Sequence, residues 1–100
     1  MKTKKPHRLI KILGRNVPVF LLSPADIDKI AEDTEILGYF SGASQTIYIN
    51  NTLTGIRYKE ALYHELMHAI LSFSGVNQLL DPKQEEAICT AAETLAYIDE

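Results

Sequence analysis

Two imidazoles and a carboxyl group stand inside the apolar run ALYHELMHAIL, from Ala61 to Leu71. Leucine at His64, Glu65 and His68 would suit a core helix better, because a buried titratable group costs free energy unless something pairs with it. The spacing suggests what that something is. Residues four apart lie one helical turn apart on the same face, so His64 and His68 can aim both rings at one ion. Glu65 is offset from His64 by about 100°. That offset sets its carboxylate beside such an ion, close to a water molecule, without making it a ligand. His64-Glu65-Leu66-Met67-His68 is thus an HExxH pattern, with Leu62, Leu66, Ile70 and Leu71 left to pack the helix against a core.

Zinc with an open coordination position takes three protein ligands. Cys89 is the only cysteine, and the one histidine outside the pair, His7, sits in the basic run MKTKKPHR, where solvent is its expected surrounding. The third ligand should then be a carboxylate. The downstream candidates are Asp81, Glu85, Glu86, Glu93, Asp99 and Glu100. Asp81-Pro82-Lys83-Gln84 reads as a helix start, with Asp81 as N-cap, Pro82 at the first helical position and Gln84 reaching back as in a capping box. Stepping about 100° per residue from Glu85, the apolar residues Ile88, Ala91, Ala92 and Leu95 gather around about 290°. Glu85 lies about 70° from that centre, Glu86 about 170° and Glu93 about 150°. Glu85 is therefore the expected ligand, leaning in from the edge of the buried face, and Glu86, expected to face water, is its main rival. A carboxylate in the first turn is also favoured by the helix dipole without any metal.

The elements that must position these groups follow from the rest of the chain. HRLIKIL and VPVFLL, around a turn at Gly14–Asn16, read as a β-hairpin, and Pro18, lacking an N–H, pushes the second strand toward a sheet edge. Ser23 caps a helix opening at Pro24, and Ile27, Ile30, Ala31 and then Ile36 or Leu37 share a face that ends near Gly38. GYFSGASQTIYIN reads as a second hairpin turning at Gly42–Ser44. The HExxH helix is expected from Gly55 or Ile56 to Phe73, with Gly75 as terminator. The order β-β-α-β-β-α-α describes an α+β domain: a small, mostly antiparallel sheet of two hairpins with three helices, the HExxH motif lying on the second.

One hundred residues, 46% hydrophobic and 23% charged, suffice for one core and argue against disorder. Residues 9–100 are expected to form a single domain behind a basic, flexible tail at 1–8. A net charge of -3 argues against nucleic acid as the main partner. No apolar run reaches membrane length and no signal-peptide pattern is present, so the expected setting is cytoplasmic. There the sequon Asn50-Asn51-Thr52 carries no meaning.

YHELMHAIL followed by EEAICTAAETL resembles the ImmA/IrrE-type metallopeptidases and the short phage- and prophage-encoded zinc proteins related to them. The similarity runs from Tyr39 to Leu95 and implies a minimal gluzincin, zincin-like fold: a small sheet, an HExxH helix and a following helix that carries a glutamate. In the second motif Glu85 falls on the glutamate, Ile88 and Ala92 on the alanines, Ala91 on the phenylalanine and Leu95 on the leucine, while Cys89 stands where asparagine is usual. The resemblance implies one zinc per chain, held by His64, His68 and Glu85, and hydrolysis of a protein or peptide substrate.

In that chemistry zinc lowers the pKa of its water, and Glu65 as general base takes the proton and passes it to the leaving amine. Tyr48, Tyr58, Tyr63 and Tyr97 are candidate donors to the polarised carbonyl oxygen. Strand Gln45–Asn50 is a candidate edge for an extended peptide to pair with. A reading of another class stands beside this one: a zinc-stabilised binding module of phage or mobile-element origin that contacts a host or phage protein. Small size favours it, since small domains often need a metal for stability. Glu65 separates the two, because a purely structural site has no use for a base beside an open position.

Overall fold

Val17, Val19, Ile47 and Ile49 are completely buried, and they alternate along two strands that lie side by side. Each such β-branched side chain contributes about 1.5–3 kcal/mol when taken out of water. In the computed structural model, which describes residues 5–98, these strands form the middle of a four-stranded sheet. The elements are β1 (Arg8–Ile12), β2 (Arg15–Leu22), α1 (Pro24–Ala31), β3 (Gly38–Ser41), β4 (Thr46–Asn50), α2 (Gly55–Ser74) and α3 (Pro82–Ala92). Short 3-10 segments follow α2 at Val76–Leu79 and α3 at Glu93–Tyr97. The domain is α+β, in the expected order.

The strands run β1-β2-β4-β3 across the sheet. The two antiparallel hairpins are joined by a parallel pairing of β2 with β4. That pairing corrects two expectations. β2 is internal despite Pro18, because Pro18 lies opposite Leu9 of β1 and the ladder with β4 begins only at Val19. β4 is internal as well, so the edge beside the helices is β3. The inner face of the sheet packs on Ala61, Leu62 and Ala69 of α2, with Phe40, Leu66 and Phe73 at the margin of the cluster. Tyr48, between Ile47 and Ile49 in sequence, points to the opposite face. There it stacks between Phe20 and Tyr39 at centroid distances of 6.0 and 6.4 Å.

Helix α1 opens as expected, the Ser23 hydroxyl accepting from the Asp26 N–H at 3.3 Å. It closes earlier, at Ala31, where Glu32 takes a left-handed conformation. The residues between it and β3 form a loop tied down by side chains. The Asp28 carboxylate accepts from the Ile36 and Glu35 N–H groups at 3.1 and 3.3 Å. The N–H of Asn50 donates to Leu37 O at 2.9 Å, and its buried amide donates to Ile36 O at 3.3 Å. The side chain of the sequon asparagine is thus committed to holding this loop.

Helix α2 ends where Gly75 supplies a backbone of φ 82, the left-handed conformation that costs glycine least. Helix α3 begins with the expected capping box: the Asp81 carboxylate accepts from Gln84 N–H at 2.8 Å, and the Gln84 amide oxygen accepts from Asp81 N–H at 2.9 Å. Of the expected tail, residues 1–4 lie outside the described residues, while Arg8 opens β1. The His7 N–H already donates to Val19 O at 2.7 Å, and its ring meets Tyr58 edge-on. The carboxylate candidates Asp99 and Glu100 also lie outside the described residues.

Candidate metal centre

Helix α2 carries His64, Glu65 and His68 on the side facing β3 and α3. Glu65 is the most buried of the three, at 7% exposure, and lies under the edge strand. The Phe40 backbone amide lies near the Glu65 carboxylate and favours the charged form. Gly38 makes the approach possible: a Cβ there would fall 2.9 Å from the Glu65 Cγ. Burial pushes the Glu65 carboxyl from 4.5 up to about 7. The His68 and His64 rings oppose that rise, the Glu86 carboxylate adds to it, and the Phe40 amide again lowers it.

Helix α3 presents a different face to α2 from the one its large apolar residues suggest. Cys89 and Ala92 are buried, whereas Ile88 and Leu95 are 36% and 41% exposed. The helix is therefore rotated by about 80° from the expected orientation. Small side chains at the contact let it approach α2 closely, and the approach sets its carboxylates against the histidines. Glu86 Oε2 lies 3.0 Å from His64 Nε2, and Glu86 Oε1 lies 3.3 Å from His68 Nε2. His64, His68 and Glu86 thus offer one converging set of ligand atoms that could hold a metal ion.

Glu85, the expected third ligand, stands outside this set. Its Oε2 is 2.7 Å from His68 Nδ1, on the far side of the ring. Glu85 falls instead in a second grouping with His68 and Cys89. The Cys89 thiol is fully buried and pushed up to about 12, by burial first and then by Glu85, Glu86 and Glu65, so it is a poor nucleophile. Glu93, placed on the water-facing side by the helical wheel, reaches His64 Nδ1 at 2.7 Å. Neither contact could be found in the sequence without knowing the rotation of α3.

A cleft of about 360 Å³ opens beside His64 and Glu65, walled by the tied loop at Glu35–Leu37. A second hollow adjoins it between His68, Tyr39 and Asn77. Of the tyrosines expected to serve as donors, Tyr48, Tyr58, Tyr63 and Tyr97 all lie outside the described linings of these hollows. Tyr97 donates its hydroxyl proton to Glu60 instead. Asn77 and Ser72 are polar residues of the second lining that the sequence did not single out, while the Tyr39 ring is turned to the outer face of the sheet, against Tyr48.

The electrostatics are one-sided. Glu65, Glu85, Glu86 and Glu93 surround two imidazoles. Among the described residues lining the cleft, Arg57 is the only lysine or arginine, and it stands 3.8 Å from Glu60. Such a group repels itself unless protons or a cation are held within it. No helix among the described residues is long and apolar enough to cross a membrane. Comparison of the chain with protein-family models, with curated proteins and with solved structures returns no match.

Proposed function

We propose that this chain is a zinc-dependent peptidase that holds one zinc through His64, His68 and Glu86 and uses Glu65 as its general base. The observation that carries the reading is the convergence of two imidazole Nε2 atoms on one carboxylate, beside a buried glutamate that borders an open cleft. The spacing of the donor atoms suits a small tetrahedral ion. Ligand atoms placed about 2.0–2.1 Å from a tetrahedral ion lie roughly 3.3–3.4 Å from one another. The carboxylate-to-nitrogen distances here, 3.0 and 3.3 Å, are close to that edge length. Three protein ligands, two of nitrogen and one of oxygen, are the number that leaves a position open for chemistry.

Zinc bound to such a set supplies the Lewis acidity that activates a water molecule and polarises a carbonyl. The chain's own residues do the rest. Glu65, buried next to the ligand pair and bordering the cleft, would take a proton from water there and return it to the departing amine nitrogen. Strand β3 has a free edge beside Glu65, so an extended peptide that pairs with it lies along the cleft with its backbone aligned. The Asn77 amide, on the lining of the adjoining hollow, is a candidate donor to the carbonyl oxygen. A cytoplasmic setting accords with a single, reduced cysteine.

The test is cleavage of a broad peptide library by the zinc-loaded chain, with chelated protein and Glu65→Gln as controls. Gln preserves the shape of Glu65 but cannot take the proton, so turnover should fall by about 10²–10⁴-fold while zinc stays bound. Full turnover by Glu65→Gln would remove it from the mechanism. Stoichiometric zinc with no cleavage by the wild type would replace hydrolysis with the binding-module reading.

A further inference from the structure

The two histidines are each gripped at both ring nitrogens, and the pattern of grips is not symmetric. Both Nε2 atoms face the same carboxylate, Glu86, at 3.0 and 3.3 Å. Both Nδ1 atoms face separate carboxylates at the shorter distance of 2.7 Å: Glu93 for His64 and Glu85 for His68. An ordinary surface ion pair has no reason to choose the same nitrogen twice. The two Nδ1 partners are also the less exposed carboxylates, with side chains 34% and 24% exposed against 59% for Glu86. Carboxylates withdrawn from water need a donor to offset the loss of hydration. An Nδ1–H is what each ring supplies.

We propose that Glu93 and Glu85 are positioning residues, which accept the Nδ1–H of His64 and His68 and so fix each ring in the tautomer whose Nε2 lone pair faces the centre. The inference rests on the metal reading for its purpose and on the 2.7 Å contacts for its geometry. A neutral imidazole carries one proton, and whichever nitrogen holds it cannot bind a metal. A carboxylate on Nδ1 settles that choice, stops rotation about the ring axis and makes Nε2 a stronger donor. Helix α3 and the 3-10 segment that continues it thus supply both kinds of carboxylate. Glu86 points between the rings, while Glu85, beside it in sequence, and Glu93, two turns further on, reach around them. The capping box at Asp81 and Gln84 anchors the turn from which Glu85 and Glu86 project. The same assignment accounts for the grouping of His68, Glu85 and Cys89: in it Glu85 supports a ligand ring, and no second ion is required.

The test uses the full chain and reads two quantities. The first is the tautomer of each ring in metal-free protein, from nitrogen-15 correlation spectra at a pH where the rings are neutral. The second is zinc affinity by competition with a chromogenic chelator. In the wild type both rings should carry their proton on Nδ1. Glu93→Ala should move His64, and not His68, toward the Nε2–H form and weaken zinc by about 10–100-fold. Glu93→Gln keeps an oxygen that accepts the Nδ1–H, so it should restore the tautomer and most of the affinity. Glu85→Ala and Glu85→Gln should do the same for His68. A Glu93→Ala protein that keeps both its His64 tautomer and its zinc affinity would overturn the proposal, as would a Gln variant whose ring behaves like that of the Ala variant. A wild type that takes up no zinc would refute the metal reading alone, because the tautomers are read without metal.

Discussion

Glu65 is the residue on which hydrolysis and mere metal binding divide, and its burial has a consequence that can be measured without substrate. Its carboxyl is raised from 4.5 to about 7 in the folded chain, so the folded state binds that proton more tightly than the unfolded state does. The stabilisation is complete below the unfolded value of 4.5 and is lost as pH rises through about 7. Gln at this position has no such proton to lose. In metal-free protein, Glu65→Gln should therefore gain about 2–3 kcal/mol on the wild type between about pH 5 and pH 8. Urea unfolding of both proteins across that range measures the gain, and parallel stability curves would show that Glu65 is not held as described. The thiol of Cys89, fully buried and pushed up to about 12, should react with a maleimide only after unfolding.

At the scale of elements, the site is where β3, α2 and α3 meet, and the close approach of β3 depends on Gly38. Gly38→Ala would place a methyl carbon 2.9 Å from Glu65 Cγ and 3.1 Å from its Oε2, too near for either to stay. Glu65 should swing away from the Phe40 amide, so turnover should drop while zinc affinity, set by His64, His68 and Glu86, changes little. Activity equal to the wild type in Gly38→Ala would mean that β3 does not press on the base.

The elements also show what the sequence could and could not reveal. The HExxH helix, the Gly75 stop, the Ser23 and Asp81 caps and the two hairpins were legible because each is written in local residues. The pairing of β2 with β4 was not, since it joins strands separated by α1 and β3. Nor was the rotation of α3. A wheel built on Ile88 and Leu95 assumes that the largest apolar residues are the buried ones. This helix buries Cys89 and Ala92 instead, because close contact with α2 matters more at this site than buried area. That one rotation brought Glu86 from the solvent side to the edge of the contact, where it meets both Nε2 atoms, and Glu85 to the middle of the buried face, behind the His68 ring.

For the whole molecule, the acidic cluster couples folding to cation binding. Four glutamates around two imidazoles repel one another in the folded state and separate on unfolding, so a divalent ion bound only by the native arrangement should stabilise the chain strongly. Zinc at a hundred times its dissociation constant contributes about 2.7 kcal/mol. In a domain of this size that raises Tm by roughly 10–20 °C. Calorimetry with and without zinc measures the shift. A Tm that zinc leaves unmoved, or moves as far in a His64→Ala, His68→Ala double variant, would contradict a centre built on those rings.

The central claim is that the third ligand is Glu86 and that its neighbour Glu85 serves the ring behind it. Zinc titration of Glu86→Gln and Glu85→Gln side by side tests it most directly. An amide oxygen is a weak ligand for zinc but still accepts a hydrogen bond from an imidazole N–H, so the same substitution should separate the two roles. Glu86→Gln is predicted to lose more than about 100-fold in zinc affinity, beyond what losing a supporting carboxylate costs, and Glu85→Gln less than about tenfold. A larger loss at Glu85, or zinc binding undiminished in Glu86→Gln, would contradict the account.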